Sequence, residues 1–517
     1  MFKGLRALFG LSRAGFIILS HDGLLSDAQR ARLPFSARAV LGLFGKQRDA
    51  QSLASALAKL GPSYIKLGQF LATRGDLIGQ AAAGKLALLQ DRLQPFSMAQ
   101  ARAEIAQGLG ADVDELFTHF SEPVAAASIA QVHKAVTRDG RHVAVKILRP
   151  GVEQRFARDL DGFFLAARMV ERFDRQARRL KPVAAVEMLA QSVRLEMDLR
   201  MEAAAMSEIG DNTENDADFR VPKVDWKLTS QRVLTSEWVE GTKLSDMAAL
   251  AASGLDLHRL GDNVIQSFLR HAIRDGFFHG DMHPGNLFAD TQGRLVAVDY
   301  GIMGRLSIKE RRFLAEILHG FITRDYARVS AVHFEAGYVP ADQDPALFAQ
   351  ALRAIGEPIQ DRTASDISMG RLLAQLFETT GKFNMQAQPQ LLLLQKTMVV
   401  VEGVARQLNP QLNMWATAEP VVRDWASQHF GVQGRLEDAA QGVASLGALM
   451  GSLPQMLGEA QRATHLLAGM AASGGLRLDA QSTQAIAKHR ARHEFWTRTA
   501  LWTGAIALVA LATLQVL

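Results

Sequence analysis

The stretch that decides the fold is His279-Gly280-Asp281-Met282-His283-Pro284-Gly285-Asn286, which is followed by an apolar run at 295–298 and by Asp299-Tyr300-Gly301. An aspartate, an asparagine five residues later and an aspartate at the end of an apolar strand form the layout of a phosphoryl-transfer centre. In that chemistry Asp281 orients or deprotonates the attacking group. Asn286 and Asp299 supply hard oxygen ligands to the Mg²⁺ that bridges the phosphates of ATP.

Two other interpretations of this stretch stay open from the residues alone. His279, Asp281 and His283 alternate, so on a strand their side chains would share a face and could ligate a transition metal. The Pro-Gly pair that follows disfavours a regular strand, and such a site would leave Asn286 and Asp299 without a role. The other interpretation is a polar turn between two helices.

Composition limits the class of protein. A chain of 517 residues can form two domains, or one large domain with extensions. The absence of cysteine excludes disulfides, thiolate metal sites and cysteine-ligated iron–sulfur clusters. The net charge of +5 is small for a nucleic-acid binder, and no basic run is interleaved with aromatic residues. We therefore expect no nucleic-acid partner, and a membrane surface accounts for the charge equally well.

The pattern changes from helical to strand-like between residues 123 and 148. A loop, a strand, an Asp139-Gly140 turn and a second strand ending in Val145-Lys146-Ile147 predict a hairpin. In protein kinases a loop and hairpin of this kind cover the phosphates of ATP, and the strand lysine pairs with them. We expect Lys146 to bind phosphate; a solvated surface lysine is the alternative.

The loop before this hairpin is rich in alanine where kinases have G-x-G-x-x-G. Each Cβ restricts the approach of the backbone to phosphate, so we expect nucleotide binding with altered phosphate geometry or selectivity. The loop and the start of the next strand are predicted to line the nucleotide; their residues are Ala125, Ala126, Ala127, Ser128, Ile129, Ala130, Gln131 and Val132.

Two further segments complete the predicted nucleotide site. Residues 233–241 read as a hinge strand that meets the adenine, with Glu237 and Val239 as its contacts. The segment 195–204 is predicted to be helical and carries Glu196, Asp198 and Glu202, of which the last two are four residues apart and share a face. One of the glutamates could pair with the strand lysine, and a solvated helix face is the alternative.

The first 120 residues are predicted to be helical. Residues 1–25 are either a first helix that faces the core or a basic amphipathic helix on a membrane. Pro62 fits the first turn of a helix. Ser97, with Gln100 three residues later, predicts a capping box at the start of another helix.

The C-terminal region contains two apolar segments. An apolar helix follows Pro389, and because it carries Lys396 and Glu402 we expect it to be buried rather than to span a membrane. Residues 431–498 are predicted to be a loosely packed helical linker. Residues 499–517 carry no charge and are long enough to cross a bilayer. The basic residues before them place the body of the protein in the cytoplasm, with one C-terminal span; a buried helix is the alternative.

Four motifs together resemble the UbiB family, also called the ABC1 or ADCK family, of atypical protein-kinase-like proteins. They are Lys66-Leu67-Gly68-Gln69, the alanine-rich segment 125–133, Glu196-Met197-Asp198, and the pair formed by residues 279–286 and 299–301. The resemblance runs from about residue 60 to residue 306, with a weaker match at 400–408. Tyr300 stands where the family more often has phenylalanine.

The resemblance implies an α+β, two-lobed protein-kinase-like fold that is rich in helix, with an N-terminal helical extension and a C-terminal transmembrane helix. The extension is expected at 1–120, the two lobes at 121–240 and 241–430, the linker at 431–498 and the membrane anchor at 499–517. In the family, Lys66 and Gln69 fold the extension over the site where a protein substrate would otherwise lie.

The resemblance also implies an activity. We expect an ATPase that uses ATP and Mg²⁺ and supports ubiquinone biosynthesis at the bacterial inner membrane. Its expected partners are membrane lipids, polyprenyl quinone precursors and quinone-biosynthesis enzymes. The alternatives are a nucleotide-gated scaffold, a lipid-binding regulator or a true protein kinase, and the alanine loop and the extension count against the last. A ring hydroxylase is disfavoured, because the sequence offers no flavin fingerprint.

Overall fold

A computed structural model describes residues 57, 60–72, 86, 93–173, 178, 181–360, 382, 383, 385 and 389–430. The first 56 residues, the predicted linker at 431–498 and the predicted transmembrane segment at 499–517 lie outside this set. No helix within the set combines the length and apolar character needed to cross a membrane.

The described residues form a helix-rich α+β structure, as expected. Its helices are α1 (Pro62–Ala72), α2 (Met98–Leu109), α3 (Val113–Leu116), α4 (Val152–Phe173), α5 (Pro182–Glu196), α6 (Leu199–Asn212), α7 (Met247–Ala252), α8 (Leu257–Leu269), α9 (Ile308–Thr323), α10 (Tyr326–Glu335), α11 (Pro345–Gln360), α12 (Pro389–Leu408) and α13 (Met414–Phe430). Its strands are β1 (Phe117–Ala126), β2 (Ala130–Thr137), β3 (His142–Leu148), β4 (Phe219–Arg220), β5 (Val233–Glu237), β6 (Gly241–Lys243), β7 (Phe277–His279), β8 (Leu287–Asp290), β9 (Leu295–Ala297) and β10 (Met303–Arg305).

The first sheet is antiparallel, with the strand order β1-β2-β3-β5. The predicted hairpin is confirmed as β2 and β3, and Gly140 in its turn has φ +86°, which a side chain would disfavour. Opposed residues in an antiparallel pair point to the same face. Val132, Lys146 and Leu234 are opposed and define one face, which we call the Lys146 face.

The opposite face of this sheet packs under helix α2, and we call it the α2 face. Val143, Val145 and Ile147 of β3 point to it and are buried against Ala101 and Ile105 of α2. The alternation of apolar and polar residues along β3 has its cause in this packing, since successive side chains of a strand point to opposite faces.

The second half of the described structure is mainly helical, and it contains the stretch 279–286. Helix α8 packs on α12, and Phe268 of α8 meets Phe278 of β7 edge-to-face at 5.7 Å between ring centroids. The short strands β4, β9, β8 and β6 form a second sheet, and β7 pairs with β10. The predicted catalytic stretch therefore connects two strands, β7 and β8, that are anchored in different sheets.

Several local predictions are confirmed. Pro62 begins α1, and Ser97 and Gln100 form the capping box of α2. Helix α12 begins at Pro389, and its Glu402 is buried and accepts a hydrogen bond from Arg406 at 2.8 Å. A buried carboxylate needs such a partner, and this one is supplied one turn away.

Two local predictions are wrong. The first 120 residues are not all helical, because β1 begins at Phe117, whose side chain is buried on the α2 face. The segment 195–204 is not one helix: α5 ends at Glu196 and α6 begins at Leu199. The physical reason is Asp198, whose carboxylate accepts a hydrogen bond from the Arg200 amide at 3.1 Å and caps the new helix.

Candidate active site

The aspartate of the 279–286 stretch is fixed by a neutral histidine. The amide of Asp281 donates to Nδ1 of His279 at 3.0 Å, so Nε2 carries the proton and donates to the carbonyl of Val298 at 3.3 Å. Burial lowers the pKa of His279 below its usual value, in keeping with a neutral ring. His279 thereby joins the backbone of Asp281 to the strand that leads to Asp299.

The asparagine of this stretch is oriented by the same loop. Nδ2 of Asn286 donates to the carbonyl of Asp281 at 3.2 Å, and the Asn286 carbonyl accepts from the Val298 amide at 2.9 Å. The amide group is therefore turned so that Oδ1 is the atom left to face a cation. An amide oxygen is a ligand that Mg²⁺ accepts.

The strand lysine lies at the centre of a charged cluster. The Lys146 ammonium donates to both carboxylate oxygens of Glu202 at 2.8 and 2.9 Å, and to Oδ1 of Asp299 at 2.9 Å. Glu202 lies on α6 and is buried, whereas the side chain of Asp299 is 47 % exposed. Of the two interpretations left open for these glutamates, the structure has the pair with Lys146, and the partner is Glu202.

The charges in this cluster support one another. The ammonium of Lys146 holds the pKa of Asp299 well below its usual range, with smaller contributions from Lys66 and His279. Burial alone would lower the pKa of Lys146, but Asp299 and Glu202 outweigh it and raise that pKa. Burial raises the pKa of Glu202 even beside the lysine. Asp299 is therefore a carboxylate across the physiological range and fit to bind a cation.

Asp299 also has an unusual backbone. Its φ is +63°, in the left-handed region that side chains with a Cβ rarely adopt. The neighbouring bonds of Val298 to His279 and Asn286 hold the chain in this conformation. Such a conformation persists where surrounding contacts fix it, and it turns the carboxylate toward Lys146.

The motif of the N-terminal extension reaches the same cluster. Lys66 on α1 pairs with Glu196 at the end of α5 at 2.6 Å, and Lys66 is close enough to Asp299 to stabilise its charge. Gly68 is buried on α1 and Gln69 is half-buried. Asp198 of the third motif is not part of the cluster, because both of its carboxylate oxygens bond the guanidinium of Arg200.

The alanine-rich segment divides into strand and loop. Ala125 and Ala126 belong to β1, and Ala130 begins β2, so the loop itself is 127–129. Ser128, Ile129 and Ala130 are buried, and Ile129 packs in the main core. Val132 lies on the Lys146 face, directly opposite Lys146. The structure therefore brings Val132 and Lys146 together, with the loop beside them at the end of the sheet.

Gln131 lies on the α2 face, away from Lys146. Its Oε1 accepts from the Phe96 amide at 2.9 Å, and its Nε2 lies 2.9 Å from Nε2 of His133. The other ring nitrogen of His133 contacts the carbonyl of Ser121 at 2.8 Å, and the ring stacks on Phe120. This group of neutral polar side chains ties β1 and β2 to the segment before α2.

The predicted hinge contacts also differ in direction. Glu237 is opposed to Val143 and so lies on the α2 face, where its carboxylate accepts from Arg220 at 2.7 Å. Its amide donates to the carbonyl of Lys223 at 2.8 Å. Val239 follows β5 and is buried. Of these two predicted adenine contacts, the side chain of Glu237 is not brought toward Lys146.

The transition-metal interpretation of the 279–286 stretch gains no support. Within the residues that the structure describes, no group of three or more histidine or acidic side chains is arranged to hold a metal ion. Both ring nitrogens of His279 are hydrogen-bonded, and Nδ1 of His283 accepts from the Gly285 amide at 3.0 Å. Asn286 and Asp299 are the hard oxygen donors, which suits a magnesium ion that also binds phosphate oxygens.

Sequence reasoning missed a residue that supports the catalytic stretch from far along the chain. Oγ1 of Thr397 is buried on α12, and its one proton is shared between the carbonyls of Gly280 and Leu393, each at 2.9 Å. Gly280 is itself confined, since a Cβ there would lie 2.9 Å from a methyl of Ile302. A threonine in an apolar helix gave no signal, because Thr397 is 117 residues from its partner.

Comparisons with known proteins agree with this geometry. Residues 88–333 match the model of the ABC1 atypical kinase-like domain, and residues 352–413 match the UbiB helical domain. A relative from Marinobacter nauticus named "Probable protein kinase UbiB" is 40% identical over 413 residues, covering 79% of this chain and 76% of its own. A relative of the same name from Azotobacter vinelandii is 42% identical over 398 residues, covering 76% and 74%.

A solved structure shows a related fold. The structure of the Rv3197–erythromycin complex from Mycobacterium tuberculosis superposes with a TM-score of 0.51 at 24% identity, covering 72% of this chain and 95% of that chain. The motifs, the kinase-like arrangement of Lys146, Glu202 and Asp299 and the match to these relatives agree. The chain therefore belongs to the UbiB family of ABC1 atypical kinase-like proteins.

Proposed function

We propose that this protein binds ATP with Mg²⁺ at the Lys146 cluster and transfers the terminal phosphoryl group to water. The observation that carries the proposal is the bridge from Lys146 to both Glu202 and Asp299, with Asp281 and Asn286 on the adjoining loop. A half-buried lysine held between two carboxylates is oriented for phosphate oxygens, which would compete with the carboxylates for its hydrogen bonds.

The protein groups have separate parts in this reaction. Lys146 binds phosphate oxygens, and Glu202 holds the lysine in place from α6. Asp281 orients the attacking water through its carboxylate, which is partly exposed. Asn286 and Asp299 are the residues that would hold Mg²⁺, whose charge offsets the negative charge of the transferring phosphoryl group.

The N-terminal extension favours water over a polypeptide as acceptor. Lys66 pairs with Glu196 and lies near Asp299, so α1 borders the metal side of the site. A polypeptide substrate would compete with α1 for that space. The name shared by the relatives favours a protein acceptor instead. The test for a protein acceptor is phosphate transfer to a partner protein, and this transfer should disappear in Asp281→Asn.

The proposal includes a cellular role, which family membership and the sequence support. The proposal places the protein at the bacterial inner membrane, with the catalytic part in the cytoplasm and residues 499–517 as a single span. Its activity supports ubiquinone biosynthesis, with membrane lipids, polyprenyl quinone precursors and quinone-biosynthesis enzymes as partners. The uncharged C-terminal segment and the net charge of +5 support membrane association.

The test is ATP hydrolysis by the purified full chain with Mg²⁺. The assay is run with and without anionic liposomes and a phenol that mimics the quinone head group. We expect turnover that rises with membrane and disappears in Asp299→Asn, since that variant loses a metal ligand. Nucleotide binding without turnover under every condition would overturn the ATPase and leave a nucleotide-gated scaffold.

A further inference from the structure

The loop at 127–129 is closed by hydrogen bonds to its own backbone and to Arg149. The guanidinium of Arg149 donates to the carbonyl of Ala127 from Nε at 3.1 Å and from Nη2 at 2.9 Å. The Arg149 amide donates to the carbonyl of Ile129 at 2.8 Å, and the Ala127 amide donates to the carbonyl of Ala130 at 2.8 Å. Both ends of the loop are thus tied to the residue that follows β3.

Arg149 is itself held in place. Its guanidinium lies over the ring of Phe96 at 5.7 Å from the centroid, and the Phe96 amide donates to Gln131. The Arg149 carbonyl accepts from the Val152 amide and from the guanidinium of Arg232, both at 3.3 Å. The side chain therefore links the loop to the segment before α2 through its contacts with Ala127 and Phe96.

Arg149 also has a defined relation to the phosphate-binding lysine. Arg149 follows β3 and lies three positions after Lys146 of that strand. Lys146 reaches across to α6, and Arg149 reaches back to the loop. A glycine loop can adjust its backbone to phosphate, whereas each alanine Cβ limits that adjustment. A loop that cannot adapt must already be in the binding conformation, and the fork of two donors from one guanidinium can keep it there.

We propose that Arg149 is a positioning residue for the nucleotide, which fixes the carbonyl of Ala127 so that the alanine loop meets the phosphates in one conformation. This rests on the nucleotide binding proposed above. Arg149 acts on the nucleotide through the carbonyl of Ala127. Its effect is to lower the conformational freedom that the loop would otherwise lose when nucleotide binds.

The experiment uses the full chain with Arg149→Gln and Arg149→Lys. Arg141→Gln is the matched control, since Arg141 lies in the turn of the same hairpin and pairs with Asp139 and Asp225. The readouts are the affinity for Mg²⁺·ATP and the hydrogen exchange of the amides at 127–130. Loss of the fork is expected to speed loop exchange and weaken nucleotide binding, each by about tenfold in Arg149→Gln.

The lysine variant separates positioning from charge. Lysine keeps the positive charge but offers no planar fork, so we expect Arg149→Lys to lie between wild type and Arg149→Gln in both readouts. It also carries the test if Arg149→Gln does not fold. Faster loop exchange with unchanged nucleotide affinity would overturn the positioning role, and so would unchanged exchange.

Failure of the underlying function gives a different result. A wild-type protein that binds no nucleotide would overturn the proposed function and the positioning role with it. In that case the exchange data still show whether Arg149 holds the loop. If the wild type binds nucleotide and both Arg149 variants bind equally well, the positioning role alone is overturned.

Discussion

Two polar clusters on opposite faces of the sheet β1-β2-β3-β5 are bonded in different ways. On the Lys146 face the groups are charged: an ammonium is balanced by the carboxylates of Glu202 and Asp299, which come from other elements. On the α2 face Gln131 and His133 are buried, and they bond to each other and to backbone groups. Burial lowers the pKa of His133, which favours its neutral form.

The difference shows how one sequence motif can contain two kinds of residue. Gln131 and Val132 are neighbours in the alanine-rich motif, yet the strand directs them to opposite faces. Charged groups on the Lys146 face suit the proposed binding of phosphate, because they can exchange one partner for another. The neutral pair Gln131–His133 suits the buried part of the α2 face, because an unpaired buried charge is far more costly. The charged pair Glu237–Arg220 on that face is partly exposed.

The sharpest test of this comparison is Lys146→Met on the charged face. We expect ATP turnover to fall roughly 10²–10³-fold, the usual loss when one preorganised donor to a developing charge is removed. Stability should fall as well, because the buried carboxylate of Glu202 loses the ammonium that balances it, although methionine fills a similar volume on the sheet. Steady-state hydrolysis and thermal unfolding measure the two quantities, with the exposed Lys227→Met as control. Near-normal turnover of Lys146→Met would show that the charged cluster on the Lys146 face does not serve ATP hydrolysis.

A substitution of Gln131 on the α2 face should change the stability of the fold rather than the activity. In Gln131→Leu the Phe96 amide loses its acceptor and His133 loses a partner, so the free energy of unfolding should fall by about 1–3 kcal/mol. The KM for ATP should stay close to that of wild type. Urea unfolding and steady-state kinetics test this, with Gln191→Leu on the exposed side of α5 as control. A large rise in KM without loss of stability would show that Gln131 serves the nucleotide.

The same face predicts an acid limit to stability. The folded chain holds His133 neutral, whereas the unfolded chain takes up a proton below the usual histidine pKa of 6.5. The contribution of His133 is therefore complete above that pH and is lost as the pH falls, by at most about 1.4 kcal/mol per pH unit. The nearby charge of Glu122 opposes the effect.

The measurement for this prediction is the free energy of unfolding between pH 7.5 and pH 5, chosen to span that pKa. His133→Gln removes the titrating ring, so its stability should fall less steeply with acid than that of wild type. The exposed His258→Gln should keep the wild-type slope. Equal slopes in all three proteins would show that His133 is not held neutral by the fold.

The candidate site residues could be proposed from sequence because phosphoryl-transfer chemistry fixes both residue type and spacing. The structure pairs Lys146 with Asp299 and joins Asn286 to the backbone of Asp281. Spacing alone could not select Glu202 as the lysine's partner. The break at Asp198, which turns one predicted helix into two, decides which glutamate faces the sheet.

The supporting groups could not be predicted, because their partners are set by the folded chain. Thr397 and Arg149 act through backbone carbonyls, and any residue has a carbonyl. The sequence alone also did not show which face of the sheet Gln131 points to. The strand pairing shows it, because Gln131 is opposed to Ile147 and its neighbour Val132 is opposed to Lys146. Register is a tertiary property, and a shift of one residue reverses every side chain.

Tyr300 is an exception to the bonding of buried polar groups beside the site, and we expect its replacement to change the free energy of unfolding only slightly. Its ring is buried, and the centroids of the Tyr300 and His279 rings lie 5.2 Å apart. Within the described part of the chain the Tyr300 hydroxyl has no hydrogen-bond partner. Burial raises the pKa of this hydroxyl, so it stays protonated. Tyr300→Phe removes the unpaired group and should raise the free energy of unfolding by about 1 kcal/mol. Tyr300→Leu, which also loses ring packing, should lower it. Lower stability of Tyr300→Phe in thermal and urea unfolding would instead show that the hydroxyl makes a stabilising hydrogen bond in the folded protein.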